Sequence, residues 1–302
     1  MSTKLPFHNV GFHLVIYVDL LGQTNELDKF RRMPTTEEER QAVVEAIKRT
    51  GGHVYLIRSM LKDLILDATS QPPSGATLAQ LPNDEARESF KRARTFEIKQ
   101  IGFSDCFVTS ASLDDRGEAE GVTRVAATVY SALQGTAAAA LLAAAHKIPM
   151  RGGVAIGTAV NIHDNEVYGP ALADAYRLES KVAEYNRIVV SPTVFDFLNY
   201  LENLPQDTAF KQGASARARE CREKLICFAP DDGLPMLHIL SPEVLYLPTK
   251  TPGTSWGDDL CKPAYDWARS EAQRFADERN MTMWGRYVRL LRYLDAYMPT
   301  SL

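Results

Sequence analysis

The sequence predicts an α/β protein of the α+β kind: a split βαβ sheet that carries a helical C-terminal extension. Three observations predict it. The run FHLVIYVDLL (12–21) is apolar and β-branched, as a central strand must be when both its faces are covered. RTFEIKQIGFSDCFVTSAS (94–112) reads as two strands joined by a tight turn near Gly102 to Asp105. Long segments of helical periodicity separate these strands and follow them.

The elements follow in order. TTEEERQAVVEAIKRTGGHVYLIRSMLKDLILDA (35–68) is a helix, with Thr35 or Thr36 as cap, acidic residues in its first turn and apolar residues at helical spacing. Residues 69–84, rich in Pro, Gly and Ser, form an exposed loop. After the hairpin, a long helix spans roughly 119–147, then strands 150–160 and 165–168, then a helix from Gly169-Pro170 to about 186. RIVVS (187–191) is a short strand, and residues 192–204 form a helix with Pro192 in its first turn. Beyond 205 the pattern weakens. KLICFA and PMLHIL form an antiparallel pair around PDDGL, and the tail from Gly257 to Tyr297 is helical, rich in aromatics and arginine. The order strand–helix–strand–strand–helix–strand is that of a ferredoxin-like sheet. Residues 1–204 form the main domain. Residues 205–302 form a hairpin and helical extension packed on it, as an appendage or a dimer element.

Composition narrows the function. Hydrophobic content of 45% and charged content of 24% suit a globule with a sizeable core. A net charge of −4 provides no general field for nucleic acid or acidic membranes, so neither is an expected partner. Cys106, Cys221, Cys227 and Cys261 form no CxxC pair, which implies reduced thiols and no structural zinc. The N-terminal apolar run contains His13 and ends at Asp19, which suits a strand and not a signal peptide. GTAAAALLAAA (135–145) is too short and alanine-rich to span a bilayer and reads as a buried helix packed against a sheet. A cytoplasmic location is expected.

Two features suggest chemistry. Asp19 ends the first strand and Asp105 lies in the hairpin turn, and strands one and three are neighbours in a split βαβ sheet. An unpaired buried carboxylate costs several kcal/mol, so an Asp closing an apolar strand needs a reason. Both carboxylates with the Leu20 carbonyl form a hard-oxygen site for Mg²⁺ or Mn²⁺ beside phosphate. Alternatively, Asp19 caps a turn and Asp105 supports a hairpin. The second feature is RGGVAIGTAVNIHDNEVYGPALADAYRLES (151–180), which carries one arginine in its helix, Arg177, eight residues beyond Gly169. Taken alone, Arg177 reads as a surface ion pair with a neighbour on its helix.

VIYVDLLGQ, FEIKQIGFSDCFV, RGGVAIGTAV and VYGPALADAYRLES occur in an order and at separations that resemble class III nucleotidyl cyclases over about residues 10–200. The resemblance implies a catalytic domain over 1–204. Asp19 and Asp105 would be metal-binding aspartates, and Leu20 would lend its carbonyl. Arg177 would be the arginine that stabilises charge on the phosphoryl oxygens as the ribose 3′-hydroxyl attacks the α-phosphorus. It further implies two divalent cations, Mn²⁺ or Mg²⁺, and a homodimer with active sites at the subunit interface, metals on one subunit and arginine on the other.

The base pocket departs from the purine pattern. Lys99 lies six residues before Asp105 where the family usually has four, and Glu166 replaces an Asp three before Gly169. Ala173 replaces the ribose-orienting Asn. FSDCFV, RGGVAIG and GPALADAYRLE are similar to the pyrimidine cyclases of Pycsar anti-phage systems. That resemblance implies UTP or CTP as substrate, UTP preferred, and a cyclic product acting on a separate effector protein. Tyr17 and Phe103 would shorten the pocket for a smaller base, or are plain core. Lys99 and Glu166 would read the base, or form a surface ion pair. A purine cyclase in ordinary signalling and a catalytically silent regulatory dimer are the alternatives. The chain has no GGDEF-like segment, which sets diguanylate cyclases aside.

Overall fold

The computed structural model describes residues 7–22, 27–70, 98–114, 120–162, 166–247 and 256–298. The expected 69–84 loop lies almost wholly outside them. The elements are β1 (Phe7–Leu20), α1 (Glu37–Ser70), β2 (Ile98–Phe103), β3 (Cys106–Ser112), α2 (Gly121–Ala145), β4 (Met150–Ile162), β5 (Glu166–Tyr168) and α3 (Pro170–Arg177). There follow β6 (Ile188–Val190), α4 (Pro192–Glu202), α5 (Ala209–Glu220), β7 (Ile226–Phe228), β8 (Pro235–Leu237), α6 (Pro242–Leu245), α7 (Trp256–Asp277) and α8 (Met281–Tyr297). The strands form one sheet in the order β2-β3-β1-β4-β6-β8-β7, with β5 paired to β4. The first four strands have the split βαβ arrangement, antiparallel throughout, and β6 joins β4 in parallel.

β1 is central because its sequence can be buried on both sides. Leu14, Ile16, Val18 and Leu20 enter the main core with Ile57, Leu61 and Ile65 of α1 and Val125, Val129 and Leu133 of α2. Val15 faces a smaller core of Ala155, Ala159, Val167, Ala171 and Ala175 beneath α3. The glycines of RGGVAIG permit this second layer. A Cβ on Gly153 would lie 2.2 Å from the Ala175 carbonyl oxygen, so α3 rests directly on the β4 backbone. Gly169, at φ 141°, turns the chain into α3 where a side chain would meet the Thr158 carbonyl. Gly153→Val is expected to lever α3 off the sheet and cost about 3 kcal/mol, read as a lower urea midpoint at unchanged slope.

α2 is buried as expected, but helices more than the sheet surround it. It runs 25 residues and is the one helix among the described residues long and apolar enough to cross a membrane, yet 83% of its most apolar window is buried inside the protein. Its closest approach is to another helix, since a Cβ on Gly135 would meet the Ile65 backbone at 2.9 Å. Alanines line it because helices crowd it from several sides; Gln134 Nε2 donates to the Glu243 carbonyl of α6 at 2.6 Å.

The C-terminal segment continues the same sheet and core. β8 pairs with β6 at Val189 and Met236, and β7 completes the edge. Tyr293 of α8, fully buried, accepts from the Leu240 amide at 3.1 Å and lies 2.8 Å from His238 Nδ1. Burial pushes the His238 pKa down to about 4, so the ring beside Tyr293 is neutral at neutral pH.

Candidate metal and phosphate site

Sheet register decides which residues meet. Side chains that pair across strands share a face. Phe103, Cys106, Asp19 and Arg151 form one rung across β2, β3, β1 and β4. The next rung on that face is Ile101, Val108, Tyr17 and Gly153, and the one beyond is Lys99, Ser110, Val15 and Ala155. Asp105 enters from the two-residue turn between β2 and β3, where Ser104 is held at a φ of 54°. That turn is pinned twice. Leu20 N–H donates to the Asp105 carbonyl at 3.2 Å, and Arg58 Nη2 donates to the carbonyls of Ser104 (2.8 Å) and Cys106 (3.0 Å). Gly102 makes room for that guanidinium: a Cβ there would lie 2.2 Å from Arg58 Cζ.

One donor atom each from Asp19, Asp105 and Cys106 lies within 4.8 Å of the other two. The Cys106 thiol sits 3.5 Å from Asp19 Oδ1 and 3.9 Å from Asp105 Oδ1. Burial, with the two carboxylates, pushes this thiol up to about 11 against a hydrogen bond with Tyr17, so it stays S–H and donates. The two carboxylates offer oxygen donors, which suit a hard divalent ion such as Mg²⁺ or Mn²⁺. The Asp19 carboxyl lies above its ordinary range, chiefly through burial and further through Asp105, while Arg151 opposes the rise. Arg151 Nη2 reaches Asp19 Oδ2 at 3.3 Å and its Nε meets the buried Glu179 at 2.6 Å. Glu179 too is raised by burial and countered by Arg151.

A carboxyl raised on folding favours the folded state fully below its unfolded pKa, near 4, and loses that advantage as pH climbs through its folded value. Asp19→Asn is therefore expected to raise the thermal midpoint at neutral pH. The gain should vanish below about pH 4, where both states of the wild type carry the proton. A midpoint lowered at pH 7 would contradict this.

The sequence-predicted residues divide. Asp19 and Asp105 come together beside Leu20, which is buried and whose amide holds the turn. Tyr17 is half-buried next to Asp19, edge-to-face with Tyr176 of α3 at 5.3 Å. Phe103 shares the Asp19 rung but is 81% exposed, so the plain-core reading of it fails: it closes an edge strand and no described residue covers it. Lys99 keeps the Asp19 face two rungs away, roughly 13 Å along the strand. Glu166 pairs with Ile162, eleven residues along β4 from Arg151. A Lys99–Glu166 ion pair, the alternative to base reading, does not form within one subunit, since β3, β1 and β4 lie between their strands, roughly 19 Å of sheet. Arg177 ends α3, 66% exposed, and pairs with Asp174 at 3.0 Å, touching neither Asp19 nor Asp105 of its own subunit.

Sequence reasoning missed Arg58, Cys106, Arg151 and Glu179. The arginine opening RGGVAIG and the glutamate in DAYRLES were visible individually, but only the contact between β4 and the π-helical turn Leu178–Val182 that continues α3 joins them.

No family model and no curated protein matches the chain. A bacterial light-regulated adenylyl cyclase is a structural neighbour at 12% identity and a TM-score of 0.33, over 78% of this chain and 93% of that one. A likeness that distant says nothing of chemistry.

Proposed function

We propose that the chain is a nucleotide cyclase that converts a pyrimidine nucleoside triphosphate, UTP before CTP, to its 3′,5′-cyclic monophosphate and pyrophosphate. The observation that carries this reading is the convergence of Asp19 and Asp105, from separate elements, on one point at the end of the sheet. In the reaction the ribose 3′-oxygen gives up its proton and bonds to the α-phosphorus. The bond from that phosphorus to the bridging oxygen breaks, and pyrophosphate leaves with the electron pair. Asp19, Asp105 and the Leu20 carbonyl would hold two divalent cations, Mn²⁺ or Mg²⁺. Such ions, when bound, lower the pKa of the hydroxyl and hold the triphosphate. Arg177 donates two hydrogen bonds to the phosphoryl oxygens as charge builds there, worth several kcal/mol in a water-poor cleft.

Arg177 reaches the metals only if a second subunit supplies it, so the active form is a homodimer with two equivalent sites. The surface supports this. Phe103 and Tyr176, 81% and 52% exposed, share the sheet face of Tyr17 with the half-buried Ile101 and Val108, an apolar patch of the kind that interfaces cover. Tyr17, Phe103, Lys99 and Glu166 then frame the base from two subunits, and the cyclic product serves anti-phage defence through a separate effector in the cytoplasm.

Incubation of the purified chain with each of the four nucleoside triphosphates and Mn²⁺ tests the reading. Cyclic UMP or cyclic CMP with stoichiometric pyrophosphate is expected. A purine product would move the assignment to ordinary cyclase signalling, and absence of product from all four would reject catalysis in favour of a silent regulatory dimer.

A further inference from the structure

A cavity of about 730 Å³ opens between the start of β4 and the C-terminal helices α7 and α8. That volume is within the range of small-molecule sites. Its lining supplies hydrogen-bond donors in excess of acceptors. Lys147 and Arg286 have no carboxylate partner among the described residues; the Arg286 guanidinium donates to the Met283 sulfur at 3.6 Å. Asn186 presents a buried side-chain amide nitrogen, Nδ2, with no protein acceptor, a state rare for a buried donor. Arg151 reaches the same cavity from the Asp19 side. The acids on the wall are already matched, Asp266 with Lys262 and Glu271 with Arg274. Trp267 and Tyr287, rings 5.4 Å apart, supply an aromatic flank.

Lys147 adds an independent sign. It follows α2 at a φ of 62°, while the Lys147 and Ile148 amides close the helix onto the Ala144 and Ala143 carbonyls. Glycine ordinarily fills such a position, and a lysine there is strained by about 1 kcal/mol.

We propose that this cleft is a second ligand site, built for a small phosphorylated anion. Guanidinium and ammonium groups match phosphate oxygens, the Asn186 amide offers a neutral donor beside them, and the aromatic flank suits a ligand that also carries a ring.

The test is binding measured by tryptophan fluorescence and calorimetry in EDTA, which silences any cation-dependent binding at Asp19 and Asp105. The probes are pyrophosphate, UMP and AMP, with succinate as a carboxylate control. Saturable binding of at least one phosphate probe is expected, weakened about tenfold or more by Arg286→Gln and by Lys147→Gly and unchanged by Asp105→Ala. Lys147→Gly removes the strain with the charge, so its thermal midpoint should not fall, which separates lost binding from lost fold. Preference for a nucleotide over pyrophosphate would give the aromatic flank its role; the reverse would assign the site to phosphate groups alone. No binding of any phosphate probe up to about 5 mM, stronger binding of succinate, or affinity unmoved by both cation variants would overturn the proposal.

Discussion

Alanine at Asp19 or at Asp105 is expected to lower turnover of the preferred triphosphate by about a thousandfold or more, with the fold retained. Each substitution removes one of two carboxylates whose oxygens converge, and one carboxylate with a protonated thiol is a poor holder of Mg²⁺ or Mn²⁺. Fold retention follows from what remains. After Asp19→Ala, Arg151 keeps its contact with Glu179, and after Asp105→Ala the turn keeps its backbone bonds to Leu20 and Arg58. The measurements are product formation across a Mn²⁺ titration and a parallel thermal melt. Activity within about tenfold of wild type in either variant would remove that residue from the reaction.

Arg177→Ala should likewise cost about a hundredfold to a thousandfold in turnover, and its more telling result comes from mixing. The Asp19→Ala and Arg177→Ala chains, each inactive alone, are expected to recover about one quarter of wild-type activity when combined and allowed to exchange. Half of the randomly formed dimers contain one chain of each kind. Each such dimer assembles one intact site of its two, because the surviving aspartates and the surviving arginine face each other across the seam. If the arginine served its own subunit, mixing would restore nothing. The outcome therefore tests both the role of Arg177 and the shared site, from a side chain whose contact within its own subunit is an ordinary pair with Asp174.

The elements of the sheet were legible because their residues alternate or cluster as strands must. FHLVIYVDLL could only be central, and the break at Gly102 to Asp105 placed the turn that presents Asp105. α5 escaped notice because what it buries is small: only Ala214, Ser215 and Ala218 are buried, which leaves little apolar periodicity to detect. Asp19 and Asp105 were readable as a pair because adjacent strands carry them to the same end. Arg151 with Glu179 was not, since 28 residues separate them and each reads as an ordinary surface charge. Lys99 and Glu166 show the limit of reading by spacing: the distance between the two depends on how many strands intervene.

Because β8 hydrogen-bonds to β6, the last hundred residues are not a detachable tail. A chain cut after Glu202 would leave the Ile188–Val190 ladder with a raw border and strip the alanine-lined flank of Gly121–Ala145 of its cover. Such a fragment should collect as insoluble aggregate rather than survive as a minimal enzyme. Any shorter form sought for crystals or assays must keep both pieces together.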